Sequence, residues 1–540
     1  MYYAAERFTD EEETILRRYF TNLDRPVFAL VNLPEVVKGA LFARYSRSAK
    51  SLRRLFLDEF VDELDMAGDA TVDATVGLRR AEELYERVFM EYGDDSVAQL
   101  GGVHLACEQA SNLLTKVLEW GRLMAYLEQS TRYIAYDARL GGRYRYWRDP
   151  EVLDSPLGAR YVADMDAMFD TYAGLLPTMQ DWARARYPKD PDDSDFVYRQ
   201  TIKAKACDAL RGLLPAATRT NVGIFATAQS YEQLLLRMRT HPLGEARAYA
   251  DLMLGELRKV IPAFLTRVDR PDRGGEWSEY LRSTREATAR AADELLAEAR
   301  PEPRPEVVLT DFDPDGEVKV AAAALYAASG LPDDQLLDIA RKLGPDEREG
   351  VLRAYIGSRR NRRHRPGRAF ERTSYRFDVL CDYGAFRDLQ RHRLLTIEWQ
   401  ALSPDHGFEV PPEVEQAGAG QDWRRVMETS SELYGEMLAA GLDQVAQYAV
   451  SMAHRIRFVM EMNAREAMHL IELRTTPQGH PVYRRVAQQM HRLIRDQAGH
   501  RALAAAMAFV DESAVDLARL EAERKSEARR RRGPGDNLPQ

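Results

Sequence analysis

The chain has 540 residues, of which 45% are hydrophobic and 30% are charged, and its formal net charge is -9. This composition is typical of a folded globular protein, and it argues against a fibrous repeat or disorder along the whole chain. The negative charge disfavours bulk nucleic-acid binding, and three widely spaced cysteines disfavour a disulfide framework or a cysteine zinc site. No apolar run is long enough to cross a membrane, and the N-terminal segment is too acidic for a signal peptide. We therefore expect a cytoplasmic protein.

Taken in chain order, the hydrophobic pattern is mainly helical. Apolar residues recur at spacings of three and four over 78–91, 107–128, 245–261 and 484–510, which predicts helices there. Two segments, 307–313 and 374–383, alternate apolar with polar residues and predict half-buried strands. The pattern indicates an α+β fold in which helices are the majority.

A Pro- and Gly-rich stretch near 268–305 marks a candidate linker, within which a polar run from Ser283 to Arg300 has helical character. The pattern R-T-x-P-x-G occurs once on each side of this linker, beginning at Arg239 and at Arg474. Leucines precede both copies at helical spacing, which suggests an internal duplication. The last residues, 511–540, predict a disordered basic tail.

The string Arg391-His392-Arg393 places two guanidinium groups, each able to form paired hydrogen bonds with an anion, next to a titratable imidazole. About twenty residues upstream lies His364, inside a stretch (353–376) that holds nine arginines. A solvated basic face explains this stretch in the simplest way. The alternative is a cationic pocket for a ligand with several phosphates, such as a dinucleotide. No His/Asp/Glu cluster at metal-ligand spacing is apparent, so no metal site is predicted.

The segment 364–393 resembles the flavin-dependent thymidylate synthases (ThyX type), whose signature is R-H-R-x7-S. The segment 457–474, RFVMEMNAREAMHLIELR, resembles the R-F-x-x-x-x-N-A-R-x-x-x-x-F-L-x-L-R segment of the same family. Arg457, Asn463, Arg465 and Arg474 fall on matching positions, and Ser329 matches the serine of an early A-A-R-x-S element. Ala401 stands where the signature has serine.

The N-terminal half resembles the same family through other residues. Residues 128–133, EQSTRY, match the signature's E-x-S-x-R-Y, and Ser46 matches the early A-R-x-S element. Trp120-Gly121-Arg122 replaces RHR here, so each half keeps the part of the signature that the other has lost. The resemblance implies two tandem ThyX-like α/β domains, each with a central, mainly antiparallel sheet. We place an N-terminal extension at 1–34, domain 1 at 35–268, a linker at 269–305, domain 2 at 306–510 and the tail at 511–540.

The resemblance also implies an activity: conversion of dUMP to dTMP with FAD, NADPH and methylenetetrahydrofolate, at a composite site shared by the two halves. It implies that Arg474 and Ser130 take part in catalysis. The implied nucleotide-binding residues are Glu128, Gln129, Ser130, Thr131, Arg132, Arg457 and Arg474. The implied FAD-binding residues are Arg391, His392, Arg393, His364, Asn463, Arg465, Ser46 and Ser329. A homodimer would then be a pseudo-tetramer of four such domains.

Two alternatives stay open at this stage. A catalytically inactive member of the fold, which binds a nucleotide or flavin as a regulator, would explain Ala401 and Trp120-Gly121. A flavin-dependent methyltransferase acting on RNA is supported only by the arginine-rich segment 353–376 and is opposed by the net charge of -9.

Overall fold

A computed structural model describes residues 3–33, 35–46, 48–61, 102–191 and 193–513. The predicted helix at 78–91 and nearly all of the predicted tail lie outside these residues. None of the helices in the described part of the chain is long and apolar enough to cross a membrane.

The chain forms two compact units, and each takes its residues from three separate stretches. Unit 1 contains Met1–Leu176, Leu213–Pro301 and Gln421–Ser451. Unit 2 contains Pro177–Gly212, Glu302–Gly420 and Met452–Gln540. Each unit therefore includes a segment from the opposite half of the sequence. The domain boundaries inferred from the sequence stay a prediction.

Unit 1 contains a four-stranded antiparallel sheet in the order β1-β2-β4-β3. Its strands are β1 (Val27–Leu30), β2 (Gly102–Ser111), β3 (Met124–Glu128) and β4 (Arg219–Thr227). A register shift between Cys107 and Ala110 interrupts the β2–β4 pairing, and Gln109 takes a φ of 56° there. Such a bulge bends the strand and increases its twist.

Unit 2 contains a second antiparallel sheet in the corresponding order, β5-β6-β8-β7. Its strands are β5 (Val307–Phe312), β6 (Ser374–Asp382), β7 (Thr396–Trp399) and β8 (Arg455–Asn463). Burial alternates along β6 and β8, because one face packs on the core while the other is more open. The prediction of a mainly antiparallel sheet is confirmed for both units.

Helices form most of the remaining described structure. Before strand β5 they are Asp10–Leu16, Glu35–Tyr45, Leu52–Glu59, Asn112–Leu118, Pro150–Leu153, Gly158–Arg186, Asp195–Leu210, Ala228–Arg239, Gly244–Leu257 and Glu276–Leu296. After strand β5 they are Gly316–Tyr326, Asp333–Lys342, Pro345–Ile356, Tyr383–Leu389, Pro412–Gln416, Gly420–Ala439, Asp443–Ala446, Ala464–Arg474, Pro481–Asp496 and Arg501–Ala506.

The helix predicted over 107–128 is wrong for most of its length. This segment is the end of β2, the helix Asn112–Leu118 and then β3. Strand β2 lies between β1 and β4 and is buried on both faces, so burial does not alternate along it. The predictions at 245–261, 307–313 and 374–383 are confirmed, and the one at 484–510 is divided into two helices, with Gly499 between them at a φ of 72°.

A buried carboxylate joins distant parts of unit 1. Glu245, in the first turn of helix Gly244–Leu257, accepts hydrogen bonds from the backbone N–H and the hydroxyl of Ser111. It also accepts one from the hydroxyl of Tyr448, at 2.8 Å. Burial raises the pKa of Glu245 to about 7, although these hydrogen bonds oppose the rise. The carboxylate thus needs all its donors when it is ionised.

Replacing Tyr448 by Phe removes one donor from this carboxylate. Because the donor stabilises the ionised form, we expect a loss of about 1–2 kcal/mol at pH 8 and a clearly smaller loss at pH 5.5, where the carboxyl is protonated. Urea unfolding at the two pH values measures the difference. Tyr280→Phe, at a tyrosine that is 64% exposed, is the matched control and should change neither midpoint. A Tyr448→Phe loss that is equal at both pH values would contradict this role of Glu245.

Candidate functional site

The predicted nucleotide loop of unit 1 begins in the protein interior. Glu128 ends β3 and is buried, and its carboxylate lies 3.5 Å from the ammonium of Lys116, which also pairs with Glu119 at 2.8 Å. Gln129 is buried too, and its side-chain amide donates to the carbonyl of Ser48. These two side chains therefore fix the base of the loop.

Residues 130–133 form the turn that follows. The N–H of Ser130 donates to the carbonyl of Ser46, and the N–H of Arg132 donates to the Ser130 hydroxyl oxygen at 3.3 Å. Thr131 is buried, whereas Ser130 and Arg132 are half-buried and Tyr133 is 38% exposed. The turn follows a strand, and it keeps the side chains of Ser130 and Arg132 within reach of solvent.

In unit 2, the Arg391-His392-Arg393 string follows the short helix Tyr383–Leu389 and its C-cap residue, Gln390. His392 is buried, Arg393 is exposed, and Arg391 is 35% exposed with its guanidinium 3.9 Å from the carboxylate of Asp388. The alternation sends the imidazole inward, while the two arginines stay nearer to the surface.

Helix Ala464–Arg474 supplies the second part of the site. Asn463 caps this helix, since its side-chain oxygen accepts from the N–H of Glu466 at 2.9 Å. At the other end of the helix, the Nε of Arg474 donates to Nε2 of His392 at 3.0 Å, and its Nη2 donates to the carbonyl of Asp388. Two predicted residues that lie 82 positions apart in the sequence, His392 and Arg474, are thus in direct contact.

The other ring nitrogen of His392 faces Glu466. The distance from Nδ1 of His392 to the carboxylate of Glu466 is 3.1 Å, and both residues are buried. His469 lies on the same helix, with its ring centroid 5.4 Å from that of His392. Sequence reasoning missed Glu466 and His469, although their spacing of three residues places both on one face of a helix.

Burial and neighbouring guanidiniums keep the two imidazoles of this group uncharged. Burial, and then Arg474, holds the pKa of His392 well below its usual range. Burial, and then Arg365, lowers the pKa of His469 to about 4. Burial raises the pKa of Glu466 to about 7, against the opposing effect of nearby arginines. Both imidazoles are therefore uncharged at neutral pH.

The structure brings together a group that the sequence did not reveal as a metal candidate. One ligand atom each from His392, Glu466 and His469 lies within 4.8 Å of the others. The grouping was missed because His392 is 74 positions away from Glu466. Guanidiniums already occupy the ring nitrogens, because Arg474 donates to His392 and Arg365 lies 2.9 Å from Nδ1 of His469. A cation would meet strong repulsion from these guanidiniums, so we interpret the group as a hydrogen-bonded cluster with uncharged imidazoles.

The arginine-rich segment 353–376 borders this cluster. Arg359 forms a buried pair with Glu472, which anchors the segment to helix Ala464–Arg474. Arg360, Arg363 and Arg393 are exposed, and no carboxylate among the described residues pairs with them. Arg362 and Arg365 act on His469 and Arg393 acts on Glu466, so the surface beside the neutral histidines carries surplus positive charge and is suited to an anion.

The remaining predicted residues have local partners. His364 is exposed and contacts Arg360 and Asn361. Arg465 donates to the carbonyl of Pro366, Arg457 pairs with Asp378, Ser46 holds the Ser130 turn, and Ser329 lies exposed in the turn after helix Gly316–Tyr326. Ligand binding by these residues stays a prediction.

The profile of the thymidylate synthase complementing protein family, Thy1, matches residues 41–263 and 307–498. The chain belongs to this family. One matched segment falls in each half of the sequence, and between them they include the Ser130 turn, His392 and Arg474.

Two relatives that match at least 90% of this chain are named UPF0159 proteins, a name that states no activity. A UPF0159 protein of Chlamydia muridarum is 39% identical over 525 residues, which are 96% of this chain and 99% of that protein. A UPF0159 protein of Thermoplasma acidophilum is 30% identical over 521 residues, covering 90% of this chain and 97% of that protein. A flavin-dependent thymidylate synthase of Clostridium tetani is 25% identical over 177 residues, covering 32% of this chain and 66% of that protein.

Among solved structures, one similar chain is a UMP/dUMP methylase, PolB, from Streptomyces cacaoi bound with 5-Br dUMP. It is 21% identical, with a TM-score of 0.29, and the match covers 37% of this chain and 94% of that chain.

The uncompensated charge of this Thy1 family member gives a direct binding prediction. Inorganic pyrophosphate should raise the thermal unfolding midpoint at low salt, and the shift should shrink as sodium chloride increases. The double variant Arg362→Gln/Arg393→Gln should lose most of the shift, because both guanidiniums act on the buried cluster. Arg341→Gln, which removes an exposed arginine paired with Asp338, is the control and should keep the shift. An equal shift in all three proteins would place the anion elsewhere.

Proposed function

We propose that this chain catalyses the reductive methylation of dUMP to dTMP, with methylenetetrahydrofolate as carbon donor and NADPH as reductant, through FAD. One observation carries the proposal: two signature residues kept in the second half of the sequence, His392 and Arg474, are in direct contact. Membership of the thymidylate synthase complementing family and the similarity to a flavin-dependent thymidylate synthase support it.

The residues beside this cluster suit FAD. The cofactor has a pyrophosphate, which matches the exposed guanidiniums of Arg360, Arg363 and Arg393. It also has flat aromatic rings, which match the uncharged imidazole of His469. When bound, the flavin supplies the electron transfer that lets a folate carbon become a methyl group on the pyrimidine.

The chain's own residues bind and polarise the nucleotide. Arg474 is held at two points, by the Asp388 carbonyl and by His392, so its guanidinium has a fixed orientation. A guanidinium fixed beside the uracil ring would stabilise negative charge that develops on the ring during the reaction. Ser130 and Arg132 would hold the nucleotide phosphate. From the complementary motifs, we also propose that the two halves of the sequence share one site and that the chain forms a homodimer.

A non-catalytic role as a nucleotide- or flavin-binding regulator is the second candidate. It is favoured by the counterpart of Arg474 in the first half, Arg239, whose guanidinium is neutralised by Asp269 and by Asp251 at 3.2 Å. Ala401, which replaces the signature serine, also favours it. Tight dUMP binding without turnover in the flavin-loaded protein would support this role.

Genetic rescue and a single substitution test the proposed activity. Expression of the full chain should allow a thymidine-requiring host to grow without thymidine, and the purified protein should show a flavin spectrum. Arg474→Ala should lower kcat by roughly 100-fold or more, because it removes a donor aimed at developing charge. Arg341→Ala, at an exposed arginine paired with Asp338, is the control and should leave kcat unchanged. Flavin binding without any rescue would favour the regulatory role, and the absence of both would reject the proposal.

A further inference from the structure

We propose that Glu466 is a positioning residue for Arg474, acting through His392. The inference rests on the proposed function, because it assumes that Arg474 acts on the pyrimidine. The family resemblance assigns Glu466 no role, since it falls on an unspecified position of the N-A-R-x-x-x-x-F-L-x-L-R segment.

The direction of each hydrogen bond follows from chemistry. A guanidinium has donors only, so Nε2 of His392 must accept the bond from Nε of Arg474 at 3.0 Å. The proton of a neutral imidazole then sits on Nδ1. That nitrogen faces the Glu466 carboxylate at 3.1 Å and donates to it. The three side chains thus form one directed chain from Arg474 through His392 to Glu466.

Glu466 is held so that it can select this tautomer. Its backbone N–H is bound by the capping oxygen of Asn463, which fixes the first turn of helix Ala464–Arg474. The side chains of His392 and Glu466 are each only 4% exposed, so water does not compete easily for Nδ1. The charged and titratable groups that face the pair are Arg365, Arg393, Arg465, Arg474, His469 and Asp388.

Loss of the acceptor would release Arg474. Without Glu466, the imidazole proton has no partner at Nδ1 and can move to Nε2. An Nε2–H would then point at the Nε–H of Arg474, so two donors would face each other. The guanidinium would lose the acceptor on its Nε, while its contacts with Asp388 involve only the Nη atoms, so its orientation would be less well fixed. Orientation errors of this kind lower activity strongly.

A double-mutant cycle separates this role from a structural one. Glu466→Leu should weaken dUMP affinity and lower kcat/KM roughly tenfold, whereas Glu466→Gln, which keeps an acceptor oxygen, should recover most of both. In the Arg474→Met background, Glu466→Leu should change the dUMP dissociation constant less than about twofold, because the partner is absent. Glu349→Leu, at an exposed carboxylate paired with Arg353, is the matched control and should leave both values unchanged.

Equal effects of Glu466→Leu in both backgrounds, or a Gln variant as impaired as the Leu variant, would overturn the proposal.

A second readout needs no activity: long-range ¹⁵N NMR of the histidine-labelled full chain, with the signal assigned by His392→Gln. The wild type should show a protonated Nδ1 and a bare Nε2 at residue 392, and Glu466→Leu should abolish that signature. A wild-type ring protonated on Nε2 would also overturn the proposal. If the tautomer is as expected but the flavin-loaded protein neither binds nor converts dUMP, the proposed function fails while the positioning chain stands.

Discussion

The site depends on one constraint: the guanidinium of Arg474 can only donate hydrogen bonds, so the structure must present acceptors to it. The Asp388 carbonyl is one acceptor and Nε2 of His392 is a second. The second requires an uncharged imidazole, which burial and the adjacent positive charge enforce. Helix Ala464–Arg474 and the Arg391–Arg393 string therefore meet at a neutral ring, while the surplus positive charge remains at the surface, where an anion can reach it.

The two units have the same order of strands but use their arginines differently. In unit 2, Arg474 donates to a histidine and a backbone carbonyl, and the Asp388 carboxylate lies farther away, at 3.9 Å. In unit 1, the guanidinium of Arg239 pairs with Asp251 and Asp269. Gly121, which stands in the position of His392, has no imidazole. Trp120 contacts the guanidinium of Arg237 at 4.3 Å instead. Where the first half departs from the signature, its arginines thus contact other residues of unit 1.

The sequence predicted the elements whose pattern is local. Strand β6 alternates in burial as its sequence does. The two motifs named His392 and Arg474 as site residues, whereas their direct contact is seen only in the structure. The end of β2, from Cys107, was predicted as a helix, because a strand buried on both faces shows no alternation in burial. Glu466 and His469 were missed because their role depends on the imidazole of His392, which lies 74 or more positions away in the sequence. The sequence also did not predict that each unit includes a segment from the opposite half, because long-range packing produces no periodic pattern in either segment.

The measurement that tests the account most directly is mass spectrometry of the nucleotide product. The FAD-loaded full chain is incubated with dUMP, NADPH and methylenetetrahydrofolate whose transferable carbon is labelled with ¹³C. The account predicts dTMP that carries the label in its methyl group, and a much smaller amount of it with Arg474→Ala. Unchanged dUMP after incubation with protein that has bound both flavin and nucleotide would contradict the central claim.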